Sequence, residues 1–153
     1  MMNRRKFLGL GLGAAAVAVI PSSLSAVDFR ATKPGTWTAT TVDGAVKALY
    51  GTSATTAGKV KMKAPKIAEN GAVIPVSFST KVKAKTIAVF QDANPETAVA
   101  VFTMHEKSLP GEDFAVRIKM QKTGKVTIIA EGTDGKLYSA TSDVKVTIGG
   151  CGG

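Results

Sequence analysis

Cysteine is almost missing from this chain of 153 residues: Cys151 is the only one, and histidine is as scarce, with His105 alone. A single thiol has no partner in its own chain, so no internal disulfide framework is available. One Cys and one His cannot fill a structural zinc shell, and neither CxxC nor HExxH spacing occurs. Aromatics are also sparse, at 6% with one Trp and two Tyr, which leaves little for stacking on nucleic-acid bases. The longest uncharged, mostly apolar run, Phe7 to Ile20, falls short of the ~20 residues that a membrane span needs. It is interrupted by Gly9, Gly11 and Gly13, and no stable membrane anchor is expected. Acidic residues are outnumbered, 11 against 20 Lys and Arg, for a formal charge of +9. A basic surface attracts anions of many kinds and does not single one out.

What is present begins with a targeting segment. Arg4-Arg5-Lys6-Phe7-Leu8 precedes the apolar run, and Pro21 with Ser22, Ser23, Ser25 and Ala26 closes it. These are the positive, apolar and cleavage regions of a secretory signal. The paired Arg4 and Arg5 followed by Phe-Leu match the twin-arginine address, which a receptor reads. An ordinary secretory signal or an uncleaved anchor is the alternative. Residues 1–26 are therefore expected to leave, placing the mature chain in the periplasm. With no cysteine beside the cleavage zone, lipid attachment there is excluded. Nucleic acid is not an expected partner of an exported chain.

The rest reads as one domain, residues 27–148, with a tail at 149–153. Val27 to Thr40 is polar and irregular. Thr41 is placed as a helix cap, and Val42, Ala45, Val46, Leu49 and Tyr50 form one apolar stripe closed by Gly51. Beyond Lys59 the period becomes two: Val60, Met62; Ile74, Val76, Phe78; Phe114, Val116, Ile118; Val144, Val146, Ile148. Denser apolar runs lie at Ile87–Phe90, Ala98–Met104 and Val126–Ala130, with a shorter one at Leu137-Tyr138. Turn pairs such as Asn70-Gly71, Asn94-Pro95 and Asp134-Gly135 separate them. About seven or eight short strands at this spacing predict an all-β fold, an immunoglobulin-like antiparallel β-sandwich with one short N-terminal helix. A small barrel would also suit the spacing. The runs Ile87–Phe90 and Ala98–Met104 carry more apolar surface than a small sandwich must bury, which points to an associated second subunit.

The tail is the most specific feature. Gly149-Gly150-Cys151-Gly152-Gly153 follows the last strand directly. Glycines resist neither bending nor close approach, and five extended residues reach roughly 17 Å. The ending reads as a thiol on a thin, flexible arm. A thiolate is the reactive form, and a positive surrounding such as Lys145 favours it. Pairing with His105 as a catalytic dyad would need the two preorganised side by side, which a loose arm does not provide. Glu69 and Glu112-Asp113 flank turns and form no acid–base pair, so the domain is not expected to be an enzyme and no cofactor is called for. An intermolecular disulfide through Cys151, in an exported interaction protein, is the alternative role. Activation of a terminal Gly-Gly carboxylate, as in ubiquitin-like carriers, needs cytoplasmic ATP and a central helix that this pattern lacks.

The ending Val144-Lys145-Val146-Thr147-Ile148-Gly149-Gly150-Cys151-Gly152-Gly153 resembles the tail of the SoxY family of bacterial thiosulfate oxidation. The helix Val42–Gly51, the block Ala64–Val76 and Asp134–Ser139 are similar to the same family. The resemblance implies a periplasmic sulfur carrier in which Cys151 accepts thiosulfate-derived sulfur as a cysteine S-thiosulfonate. It also implies a heterodimer with a SoxZ-like subunit. The adduct would be visited by the haem enzyme SoxAX, the sulfate-releasing hydrolase SoxB and, where present, the sulfane dehydrogenase SoxCD.

Overall fold

The computed structural model describes residues 27–150. The expected signal segment 1–26 with Arg4 and Arg5, and residues Cys151, Gly152 and Gly153, lie outside the described residues.

Three short helices come first. α1 (Phe29–Thr32) starts where the Asp28 carboxylate accepts from the Arg30 and Ala31 amides, and α2 (Pro34–Thr38) begins on a proline. Both sit in the stretch that reads as irregular. A capping carboxylate and a proline at the first helical position each favour a helical start without needing an apolar stripe. α3 (Val42–Tyr50) follows the stripe as predicted: Thr41 Oγ1 accepts from Gly44 N at 3.1 Å, and Gly51 ends the helix at φ 81°.

The strands form two layers. β1 (Thr56–Ala57), β3 (Ile67–Asn70), β5 (Ala84–Gln91), β6 (Ala98–Thr103), β8 (Gly124–Gly132) and β9 (Leu137–Ile148) make a six-stranded sheet, ordered β1-β9-β8-β5-β6 with β3 on the far part of β9. β2 (Val60–Lys63), β4 (Ile74–Thr80) and β7 (Phe114–Ile118) make a three-stranded sheet ordered β2-β4-β7. Between them Val76, Phe78, Ile87, Val89, Val126 and Ile128 are buried. Phe78 holds the packing together laterally, with ring centroids 5.8 Å from Phe114 and 6.2 Å from Phe102. The expected β-sandwich is what forms.

Two details differ from the sequence reading. The sheet is not purely antiparallel, because β1 and β3 pair parallel to β9. The two strands expected at Leu137-Tyr138 and Val144–Ile148 are one continuous strand of 12 residues. Its middle, Ser139 to Asp143, has no apolar alternation, yet its backbone ladder to β8 runs unbroken from Leu137 to Val144. Backbone pairing carries the strand where side-chain pattern gives no sign of it.

The dense apolar runs also find a local explanation. α3 lays Ala45, Val46 and Leu49 on the outer face of the large sheet against Ala88, Phe90, Ile129 and Leu137. β5 and β8 are thus covered on both faces, which produces continuous apolar runs. Ile87 to Phe90 is spent entirely inside the protein. Only β6, at the sheet edge, stays half-buried along its length.

α3 is pinned at its end by Tyr50, whose hydroxyl lies 3.0 Å from Thr86 Oγ1, while Thr86 Oγ1 donates to Glu131 at 3.1 Å. Burial pushes the Tyr50 phenol up to about 12; the Thr86 hydrogen bond partly opposes this and nearby Glu131 reinforces it. The folded pKa is raised above its ordinary value of 10.0, so the neutral phenol stabilises the fold below that pH. The contribution is lost as pH rises toward about 12. Thermal melts across that window are expected to fall more steeply for wild type than for Tyr50→Phe. Parallel curves would contradict the assignment.

Candidate functional site: the root of the thiol arm

β9 delivers the chain to Ile148, and the next two residues enter a slot rather than leaving the surface. On one side is the turn Asn70-Gly71-Ala72, on the other Met120-Gln121. Three backbone hydrogen bonds run across it. Gly71 N–H donates to Ile148 O at 2.8 Å, Met120 N–H to Gly71 O at 2.8 Å, and Gly150 N–H to Met120 O at 3.1 Å. Gly71 and Gly150 are buried.

The slot works because side chains are missing from one wall, at Gly71, and from the tail itself, at Gly149 and Gly150. A Cβ on Gly71 would meet Met120 O and come within 2.6 Å of Gly150 N. One on Gly150 would lie 2.6 Å from Gly71 O, and one on Gly149 would run into Gln121 O. Backbone atoms cannot yield as a flexible side-chain tip can, so close approach dictates glycine at these places.

Neighbouring groups fix the walls. Asn70 Oδ1 accepts from Ala72 N at 2.9 Å and shapes the turn. Asn94 holds the other wall, accepting from Gln121 N and donating to Lys119 O, both at 2.9 Å. The strand itself is tied by Lys145 N–H to Lys66 O at 2.9 Å and by Thr147 Oγ1 to Glu69 O at 3.0 Å. Lys66, Lys119, Lys122 and Lys145 are exposed around this end, with Glu69 an exposed carboxylate among them, so cations outnumber the acid there.

The sequence sets the beginning of the free arm at Gly149. The structure instead engages Gly149 and Gly150 in the slot, so the part of the tail before Cys151 is anchored. Cys151, Gly152 and Gly153 lie outside the described residues. Gly71, Asn94, Met120 and Gln121 escape sequence reasoning: Asn70-Gly71 and Asn94-Pro95 signal turns, but nothing local says that those turns meet the tail.

His105 is at the other end of the sandwich. Its Nδ1 accepts from Lys107 N at 3.1 Å in its own loop, and adjacent Met104 donates to Lys85 O. Lys85 is the second residue of β5, whereas Asn94 lies beyond its last residue, Gln91. The eight residues of β5 span roughly 25 Å. The root of the tail and the histidine are separated by that length. Among the described residues no three His, Cys, Asp or Glu side chains gather into a metal-binding group.

A family model described as sulfur oxidation protein SoxY matches residues 46–151, the greater part of the chain, and its last matched residue is Cys151. The chain belongs to the SoxY family. A solved SoxY relative, the sulfur carrier protein SoxY from Chlorobium limicola f thiosulfatophilum, is 36% identical. It aligns over 70% of this chain and 96% of its own, with a TM-score of 0.60. A superoxide reductase (neelaredoxin) from Ignicoccus hospitalis superposes at a TM-score of 0.50 over 58% of this chain and 80% of its own. At 17% identity that is a likeness of fold alone. No curated protein sequence matches this chain. The SoxY match begins within α3 and runs through both sheets, so helix, sandwich and tail root fall inside one family unit.

Proposed function

We propose that this chain is a periplasmic covalent sulfur carrier whose attachment point is the Cys151 thiol. The observation that carries the reading is the SoxY family match ending on Cys151, the chain's only thiol, one residue beyond a slot that anchors Gly150. The chemistry is a sulfur–sulfur bond between the Cys151 sulfur and the sulfane sulfur of thiosulfate. Forming it from a thiol releases one proton and two electrons, and the haem enzyme SoxAX takes the electrons. Hydrolysis of the terminal sulfonate by SoxB then releases sulfate, and SoxCD, where present, oxidises the remaining sulfane sulfur. The carrier catalyses none of these steps. It holds the sulfur covalently while successive enzymes act. A SoxZ-like subunit is its constant partner, and Arg4 and Arg5 address the folded pair to twin-arginine export.

Intact-mass spectrometry tests this on protein purified from the native host grown with thiosulfate. The expected result is a chain lacking residues 1–26 that carries a reducible sulfur adduct on Cys151, together with a copurified second subunit. A disulfide-linked dimer as the sole form, unchanged by thiosulfate, would overturn the reading.

A further inference from the structure

The fold is layered as helices, large sheet, small sheet. α3 covers the outer face of the large sheet and the core fills the space between sheets. Among the described residues nothing covers the outer face of the β2-β4-β7 sheet. We propose that this bare face is the docking surface for an acidic protein partner.

Strand alternation decides what the face presents. Ile74, Val76 and Phe78 point inward, so Pro75, Ser77 and Ser79 point out. The pairing sets Lys61 beside Ser79, Lys63 beside Ser77, Ala115 beside Ser77 and Arg117 beside Pro75. The centre is a row of small side chains flanked by cations. A groove of about 460 Å³ lies over Lys63, Pro75, Ser77, Ala115 and Arg117. The flanking strands are two strand spacings apart, on the order of 10 Å. Lys63 and Arg117 thus stand on opposite sides of a channel floored by Ser77 and Pro75. Continuing the register that pairs Phe114 with Phe78, Asp113, just before β7, comes level with Ser79 and opposite Lys61, so the two-sided cationic rim is that of Lys63 and Arg117.

Charge complementarity selects the occupant. Cations on either side of a shallow channel favour a partner that brings carboxylates to both rims. The face carries no aromatic side chain on which a nucleic-acid base could stack. It also lacks the bulky apolar side chains that insert into a lipid surface. Proline, serine and alanine at the centre allow another protein's backbone to approach closely.

Position gives the face its purpose. Pro75 and Arg117 are the outward-facing pair nearest the tail, and their strands lead to the two walls of the slot, Gly71 and Met120. At that same end Val73 is 54% exposed and Ile148 70% exposed. A partner seated on the channel would therefore have its own cleft beside the exit of Cys151. This last step rests on the carrier reading; the docking face itself does not.

The triple variant Lys61→Glu, Lys63→Glu, Arg117→Glu tests it, with the corresponding triple Gln variant as a milder control. In thiosulfate oxidation reconstituted from the purified Sox proteins, kcat/KM for the loaded carrier should fall roughly tenfold or more at low salt and lose most of its salt dependence. Reaction of Cys151 with a small thiol reagent should stay unchanged. Equal kcat/KM and equal salt slope in variant and wild type would overturn the proposal. Independently, amide NMR during titration with an oligoglutamate peptide should show shifts concentrated at Lys61, Ser77 and Arg117, abolished in the variant. Shifts spread over every lysine-bearing face, or tighter binding to phosphatidylglycerol vesicles or single-stranded DNA, would overturn it. A wild-type carrier that takes up no sulfur refutes the carrier reading, and the titration still decides the docking face.

Discussion

A Cys151→Ser protein is expected to fold and pair as wild type does and to support no thiosulfate oxidation. The loss is complete if, as proposed, Cys151 forms the bond to sulfur: a serine hydroxyl forms no sulfur–sulfur bond, and the sequence holds no other thiol to take over. The fold does not depend on that residue. The ladder of β9 ends at Ile148, and the last of the three hydrogen bonds across the slot comes from Gly150 N–H. Thiosulfate-dependent oxygen uptake by a deletion strain complemented with the variant would measure it, alongside a melting curve of the purified protein. Wild-type oxidation rates with Cys151→Ser would reject the carrier role.

The second large effect is expected far from the tail in sequence. Gly71→Ala inserts a methyl group where Met120 O and Gly150 N already stand. Overpacking of this kind costs about 1–3 kcal/mol, and separating the walls also strands backbone groups that were paired across the slot. A drop in melting temperature on the order of 5 °C follows for a domain of this size. The more telling readout is hydrogen exchange at the Gly150 amide, which should lose its protection. Sulfur transfer should slow with it, although Cys151 itself is untouched. A Gly71→Ala protein that melts normally and keeps Gly150 protected would show that the slot is not what holds the tail.

The two effects differ in how legible their residues were. Cys151 stands out by count and by its glycine neighbours, and α3 by the spacing of Val42, Ala45, Val46, Leu49 and Tyr50. β2, β4 and β7 follow from simple alternation, because each has one face in the core and one in water. The remainder depends on contacts that no local pattern records. α1 and α2 are single turns, shorter than any apolar period. β3 joins the sheet with Ile67, Glu69 and Asn70 exposed, so its membership comes from backbone pairing with β9. The slot is less legible still, because Gly71, Met120 and Gly150 meet only in three dimensions and through main-chain atoms. The dense run Ile87–Phe90 shows the converse. Its composition is plain, but whether helices or a second subunit cover it is decided by a helix some forty residues earlier.

The parallel pairing of β1 and β3 with β9 has a consequence for how the protein is made. Both short strands leave the ribosome well before β9 and must wait for it. Their pairings, like the slot that receives Gly150, close contacts across long stretches of chain, the kind that form late and slowly. Until β9 and Gly150 are made, Ile67–Asn70 has no strand to join and Met120 no tail to hold. A chain cut short anywhere before Ile148 therefore lacks both a finished sheet and Cys151. The last pairings of the sheet and the arrival of Cys151 thus fall in the same stretch of synthesis.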